Sequence, residues 1–406
     1  MNEQEFIRRK FKEYYAKHRI ASVPSIESRE FGIGDWGKKI VKRHMSFSST
    51  AELNRFLKSE APLYISYSAA YYKDPSARPM EKKSFLGADL IYEFDADELE
   101  LDCREKHDFW YCKNCKSYGK GTAKECASCG SDTEQYQFIC ENCLAETKKQ
   151  LNRLIKVLDE ELGILENISI NFSGNAGYHL HIRSERIRTL SENARAELID
   201  YLTLAGFDFE LAIDFSQAVP IFEKSKQVKA PLSRILKTLK EFLLRANPDQ
   251  IALYGGIKLS KAREVYENKK KIVAKIDEGR LPPIARSRTA SLKFWRNLLE
   301  YAKQKESIKI DRQTSIDKYK IIRVPNSLHG STGLIAKIVS LQALADFRPL
   351  EHALAFGDRQ IKVFINKAPR FRLGNQSFGP YENEEAVLPE YAAIYLIGKG
   401  LASLCE

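Results

Sequence analysis

Nothing in this 406-residue chain reads as a membrane span or an export signal. No apolar run approaches the roughly 20 residues that cross a bilayer. The longest candidate, Leu388 to Leu401, is short and interrupted by Lys399, so a buried helix is expected there. Met1-Asn2-Glu3-Gln4-Glu5 lacks the charged-then-apolar pattern of a signal peptide, and a cytoplasmic protein with no membrane partner is expected. No internal repeat or low-complexity tract is evident, which argues against solenoids and disordered arrays. Cysteine is scarce outside one window: seven of eight lie between Cys103 and Cys143, and only Cys405 stands apart. A disulfide framework is thereby disfavoured, because an intracellular chain uses such clusters for metal.

What is present is basic and long. With 65 basic against 54 acidic residues the net charge is +11, which tilts modestly toward a polyanionic partner. The length suits two subdomains better than one. Within the cysteine window, Cys112/Cys115, Cys126/Cys129 and Cys140/Cys143 form three Cys-x-x-Cys pairs, each able to present two thiolates to one tetrahedral zinc. Three pairs leave one over, and Cys103 with His107 can complete a second site. The pairing expected is Cys112, Cys115, Cys126 and Cys129 as an inner ribbon, nested inside Cys103, His107, Cys140 and Cys143. A single site with spare thiols and an iron–sulfur cluster are the alternatives.

Carboxylates supply the next signal. Ala88-Asp89-Leu90-Ile91-Tyr92-Glu93-Phe94 reads as a buried strand running into Asp95-Ala96-Asp97. On that strand Asp95 and Asp97 share a face about 7 Å apart and form a natural magnesium or manganese site. Glu98 and Glu100 follow, so a solvated strand end is the plain alternative. Further on, Ile168-Ser169-Ile170-Asn171-Phe172 and Tyr178-His179-Leu180-His181-Ile182 alternate as strands around Ser173-Gly174-Asn175-Ala176-Gly177. Such a small-residue turn lets backbone N–H groups approach a phosphate. His179 and His181 share a face, so one of them could reach the same ligand; an ordinary hairpin with a structural histidine is the alternative.

These stretches resemble the motifs of the archaeo-eukaryotic primases, in particular the catalytic small subunit of archaeal DNA primase. Tyr92-Glu93-Phe94-Asp95-Ala96-Asp97 carries the resemblance first, followed by Phe172-Ser173-Gly174 with Gly177-Tyr178-His179. Ile310-Asp311 and Ile322-Arg323-Val324-Pro325-Asn326-Ser327-Leu328-His329-Gly330 complete it, and the likeness spans nearly the whole chain. It implies that Asp95, Asp97 and Asp311 hold two catalytic Mg2+ or Mn2+ ions. It also implies that Ser173, Gly174, His179, Arg323 and His329, with Arg43, contact the incoming nucleotide. One Cys/His zinc site is usual in such primases at the position of the outer set, which makes the inner ribbon an insertion and both zincs structural. The expected partners are single-stranded DNA template, nucleoside triphosphates and a large regulatory subunit carrying its own iron–sulfur cluster. One departure is visible: relatives often place an arginine in the Ser-Gly hairpin, whereas Asn175 and Ala176 stand here. The triphosphate is therefore expected to depend more on Arg323, His329 and Arg43 than on the hairpin.

The organisation expected is α+β, a mixed-sheet primase core with two insertions. Core segments at 1–102, 146–186 and 307–406 flank a zinc module at 103–145 and a helical subdomain at 187–306. Helices are expected over 4–17, from Ser49 to Leu57, and over 146–162, 191–204, 233–245, 259–278 and 291–305. Residues 307–323 are expected to resume strand character and to deliver Asp311 and Arg323 to the sheet that carries Asp95. Ile361-Lys362-Val363-Phe364-Ile365 reads as a further strand. The run Lys269-Lys270-Lys271 reads as a solvated face, and Arg286-Ser287-Arg288-Thr289 as a loop able to touch phosphate. The function expected is template-directed primer synthesis by two-metal nucleotidyl transfer. The rivals are a gap-filling or end-joining polymerase of the same superfamily and a non-catalytic zinc-ribbon nucleic-acid binder.

Overall fold

A computed structural model describes residues 2–20, 23–222 and 226–405 of the chain. They form two compact units, one of Met1–Ile155, Ile164–Arg195 and Ile310–Glu406, the other of Lys156–Gly163 and Ala196–Lys309.

The first unit is built on two four-stranded sheets. One has the spatial order Ile321–Arg323, Tyr64–Ser68, Phe31–Asp35, Lys38–Met45, and the other Ile338–Val339, Ile168–Phe172, Gly177–Ile182, Leu90–Asp95. The α+β class holds, with every described pairing antiparallel rather than mixed in sense. Short returns such as Ser173–Ala176 can join only antiparallel neighbours. The helix Glu3–Lys17 starts from a reciprocal cap between Asn2 and Glu5 and buries Phe6, Ile7, Phe11, Tyr14 and Tyr15. Lys10, on the same helix, reaches Glu390 at 2.7 Å and Glu13 at 2.8 Å. Glu390 opens the helix Glu390–Gly398, where every residue from Tyr391 to Ile397 is buried, as its unbroken apolar run requires. Ser49 caps Thr50–Glu60, and the long strand Gln360–Ala368 covers the stretch expected near 361–365.

Two expectations need correction. Residues 307–323 are not a continuous strand: Asp311 caps a short helix, Arg312–Ile316, and strand structure begins only at Ile321. An Asp side chain that can accept from the amides of Gln313 (2.9 Å) and Thr314 (3.2 Å) favours a helix start over an extended chain. The strand Ile321–Arg323 then pairs with Tyr64–Ser68, so Arg323 and Asp95 stand in different sheets.

A buried polar knot joins those two sheets at the root of the strand Leu90–Asp95. The Asp89 carboxylate accepts from Arg29 Nη2 at 2.7 Å, Tyr71 Oη at 2.6 Å and Arg183 Nε at 3.3 Å. Arg29 also donates to the Ser68 and Ala69 carbonyls, while Arg195 donates to those of Ala88 and Asp89. Arg29 and Arg195 are wholly buried.

The second unit is helical. Lys226–Arg245, Pro248–Gly255, Leu259–Glu267, Lys269–Asp277 and Arg288–Glu306 close over a core that includes Trp295, Phe294, Leu239 and Ile251. The span 259–278 is two helices rather than one, broken at Asn268, whose side chain donates to the Glu264 carbonyl and stops the first helix. Lys270, Lys271 and Lys275 are exposed, and Lys275 pairs with Glu278 at 2.7 Å. In the expected phosphate loop, Ser287 caps the last helix and Arg288 is spent on the carbonyls of Phe215, Ser216 and Gln217.

Replacing Asp89 by Asn should leave two buried guanidiniums without a counter-charge and cost about 3–5 kcal/mol. Arg8→Ala, which breaks a half-exposed pair with Asp35, should cost less than about 1 kcal/mol. Urea unfolding of both variants tests this; equal losses would contradict the central role of the knot.

Candidate active site

The strand Leu90–Asp95 and the hairpin strand Gly177–Ile182 pair in a register that sets Asp95 opposite Gly177. At that point the backbones nearly touch: a Cβ on Gly177 would lie 1.8 Å from the Phe94 carbonyl oxygen. Only glycine can occupy the position. The register therefore carries the Ser173–Ala176 turn to the end of the strand where the acidic pair begins, and Ala96 N–H donates to the Ala176 carbonyl at 3.2 Å.

Strand geometry ends at Asp95, not at Asp97. Ala96–Glu98 form one 3-10 turn, and the Asp95 side chain accepts from the Asp97 amide at 3.3 Å. An aspartate with a free amide two residues on turns the chain by this local bond. The shared strand face expected for the two aspartates is lost, and the turn brings Glu98, expected as a solvated acid, into the same group. Glu98 and Asp311 lie within hydrogen-bonding reach, and the Asp95 charge also acts on Glu98. Burial, and after it the Asp97 charge, pushes the Asp95 carboxyl up to about 6. Burial, Asp311 and Asp95 push Glu98 up to about 7. Asp97 itself faces Arg104, whose Nη2 stands 3.6 Å from Oδ1. Asp95, Glu98 and Asp311 thus form an under-compensated acidic edge, the donor set that hard divalent cations prefer.

Opposite that chemistry stands a cationic and imidazole group. Gly174, at φ +78°, packs against the 329–336 loop; a Cβ there would meet His329 Cβ at 3.0 Å, and its carbonyl accepts from Thr332 Oγ1 at 2.6 Å. His329 is buried, bonds Ser331 Oγ through Nδ1 at 3.1 Å, and meets the Tyr64 ring edge-on. The Arg323 guanidinium lies 5.1 Å above the same ring, and its buried Nη1 has no hydrogen-bond partner among the described residues. Burial lowers Arg323 to about 10, still protonated at neutral pH. Burial takes His179 down to about 4 and His329 well below its ordinary value, so both rings are neutral there. His179 sits across from Glu93, which pairs with Lys320 at 2.9 Å. His181 is a structural residue: fully buried, it stacks on Tyr67 at 6.3 Å. Ser173 Oγ accepts the amides of Asn175 and Gly177, both at 3.2 Å, so those N–H groups close the turn on itself. Arg43 is held by the buried Glu30 at 2.9 Å and lines a cavity of about 560 Å³ with His44, Tyr72, Phe85 and Tyr319, a lining that includes none of the aspartates.

The cysteine window folds as two knuckle sets. Cys103, His107, Cys140 and Cys143 gather their ligand atoms within 4.8 Å of one another, and so do Cys112, Cys115, Cys126 and Cys129. Sulfur pairs stand 3.5–3.6 Å apart, far beyond a disulfide and close to the ~3.8 Å edge of a tetrahedron with 2.3 Å zinc–sulfur bonds. The inner set hangs from the three-stranded ribbon Tyr118–Lys120, Phe109–Tyr111, Glu134–Tyr136. Its two knuckles share one construction: Lys116 (φ +64°) and Gly130 (φ +70°) follow the second cysteine of each pair and donate back to Cys112 and Cys126. Each set could hold one metal ion, and thiol-rich sets of four suit zinc.

An acidic edge beside a small-residue turn and a protonated arginine is the outfit of a nucleotidyl-transferring enzyme. Comparison with known proteins gives the class. Residues 131–341 match the DNA primase small subunit family. The chain is 30% identical to the DNA primase small subunit of Methanothrix thermoacetophila over 98% of both chains. It is 31% identical to that of Cenarchaeum symbiosum, covering 97% of this chain and 96% of the relative. With the Nitrosopumilus maritimus protein of the same description it is 28% identical over the full length of both. The chain belongs to the DNA primase small subunit family.

Two measurements follow from the geometry. Metal analysis of the purified chain should find two zinc ions, and Cys126→Ser should release one while the outer set keeps its own; one ion, or iron, would contradict the two-quartet reading. The carboxylates give a pH signature. Folded Asp95 and Glu98 bind protons more tightly than in the unfolded chain, so their contribution to stability is complete below about pH 4 and is lost as pH rises through about 6 to 7. Millimolar Mg2+ or Mn2+ should therefore raise the melting temperature at pH 8 and much less at pH 5. Calorimetry showing the same increment at both would speak against cation binding at this edge.

Proposed function

We propose that this chain is the catalytic subunit of a DNA primase, joining nucleoside triphosphates into short primers on a single-stranded DNA template. The observation that carries the reading is the Asp95–Gly177 register, which sets the acidic edge against the Ser-Gly turn. Asp95, Asp97 and Asp311 would hold two Mg2+ or Mn2+ ions; Glu98 adds charge to the same edge. When bound, two such ions lower the pKa of an attacking 3′-hydroxyl and neutralise a departing pyrophosphate.

The chain's own residues supply the rest. Arg323, charged and with an unpartnered buried Nη1, is the fixed cation for the triphosphate. His179 and His329, neutral at pH 7, act as hydrogen-bond donors to phosphate oxygens rather than as charges. Ser173 and Gly174 shape the turn, and with its amides engaged internally the turn contributes less than Arg323 does. Arg43, anchored on Glu30, would act at the periphery of the nucleotide. Zinc in both quartets would be structural. The relatives' description as small subunits supports assembly with a large subunit, and the +11 net charge supports a salt-dependent hold on template. No helix among the described residues is long and apolar enough to cross a membrane.

The test is synthesis on unprimed single-stranded DNA with ribo- and deoxynucleotide pools. The chain should form primers, and Asp95→Asn should lower the rate by several orders of magnitude with the fold intact. Residual activity above about a tenth, a loss of only ~1.4 kcal/mol, would remove Asp95 from the metal site. Extension of existing primers without any unprimed synthesis would favour a repair polymerase.

A further inference from the structure

The loop that enters the outer cysteine set also grips the active-site carboxylate. Within six residues, Cys103 and His107 supply two ligand atoms of that set, and Arg104 and Asp108 stand between it and Asp97. His107 Nε2 lies 3.3 Å from Cys143 Sγ, and its Nδ1 is 2.9 Å from Asp108 Oδ1. Asp108, 1% exposed, also accepts the Phe138 amide and, through Oδ2, Arg104 Nε at 2.9 Å. Arg104 then spends the other end of its fork on Asp97: Nη1 donates to the Asp97 carbonyl at 3.0 Å, and Nη2 stands 3.6 Å from Oδ1. Gln137, just past the strand Glu134–Tyr136 and ahead of Cys140, closes the grip from the other side. With its amide nitrogen toward Asp97, Gln137 donates to Oδ2 at 2.8 Å and Oδ1 at 3.2 Å and accepts Arg104 Nη2 at 2.8 Å. Lys399 holds the Gln137 carbonyl at 2.7 Å.

We propose that Arg104 is a positioning residue for Asp97, and that the chain His107–Asp108–Arg104–Asp97 makes the outer zinc set the anchor of one active-site metal ligand. A ligating histidine that donates its second ring nitrogen to a carboxylate is oriented by it. Here that carboxylate is in turn the anchor of the guanidinium. Asp97 lies past the end of its strand, in a single turn and 39% exposed, so the sheet does not hold its side chain; the module does. Only a planar fork can bridge Asp108 and Asp97 at once, which a lysine cannot do. Engaging one lone pair of each Asp97 oxygen leaves others for a cation, so the grip orients the ligand without displacing the ion.

The inference rests on the reading of Asp97 as a metal ligand, and its test separates the two. Free Mn2+ is titrated by electron paramagnetic resonance against the zinc-loaded full chain, without nucleotide. Wild type is compared with Arg104→Ala, Asp97→Asn and the double variant. Arg104→Ala should weaken Mn2+ binding about tenfold with two zincs retained, have no further effect in the Asp97→Asn background, and not be rescued by Arg104→Lys. Unchanged or tighter Mn2+ binding in Arg104→Ala, or an equal loss in both backgrounds, would overturn it. Asp97→Asn binding Mn2+ as wild type does would remove the parent reading of Asp97, and this inference with it. Should Arg104→Ala shed zinc, Gln137→Ala replaces it: weaker Mn2+ binding with zinc retained supports the grip, and unchanged binding refutes it.

Discussion

The active site depends on a carboxylate that takes no part in it. Asp89, buried at the root of the strand Leu90–Asp95, collects Arg29, Arg183 and Tyr71 and so locks two separate sheets to each other. One of those sheets carries Asp95 and the Ser173–Ala176 turn; the other carries Arg323. A charge this deep is tolerated only because each of its oxygens is bonded, and removal of the carboxylate leaves its arginines without their counter-charge. The knot makes the spacing between acidic edge and basic face a property of the core, not of loops. Arg195 adds to it by binding the carbonyls of Ala88 and Asp89, the two residues that lead into the strand.

Above that anchor, charge is sorted by burial. The carboxylates at the strand end are held near one another without enough counter-charge, so their protons bind unusually tightly. The imidazoles nearby are pushed the other way and stay neutral, while Arg323 keeps its charge and its buried Nη1 has no hydrogen-bond partner among the described residues. Such a division suits a triphosphate, whose reacting end needs cations and whose tail needs donors. The glycines of the hairpin serve the same arrangement indirectly: Gly177 allows the register and Gly174 allows the 329–336 loop to seat.

The cysteine module is structurally continuous with this site. Its entry residue Arg104 and Gln137, ahead of its last two cysteines, converge on Asp97, so the inserted segment does more than decorate the core. That continuity ties down a carboxylate that lies beyond the end of its strand.

Much of this was legible in the residues themselves. Helix starts at Asn2 and Ser49, the hairpin around Ser173–Gly177 and the paired Cys-x-x-Cys knuckles all depend on partners a few residues away, whose hydrogen bonds and ligand spacing are written into the local order. So is the apolar helix at 390–398. The tertiary structure alone decided the rest. That Asp97 leaves the strand and Glu98 joins the edge, that Arg323 and Asp95 belong to different sheets, that Arg43 is claimed by Glu30 and His181 by Tyr67, each turns on partners whose claim no local pattern displays. Residue type and spacing set which chemistry is available; which of two acceptors a side chain takes in a crowded interior is settled by burial and by contacts far off in the chain.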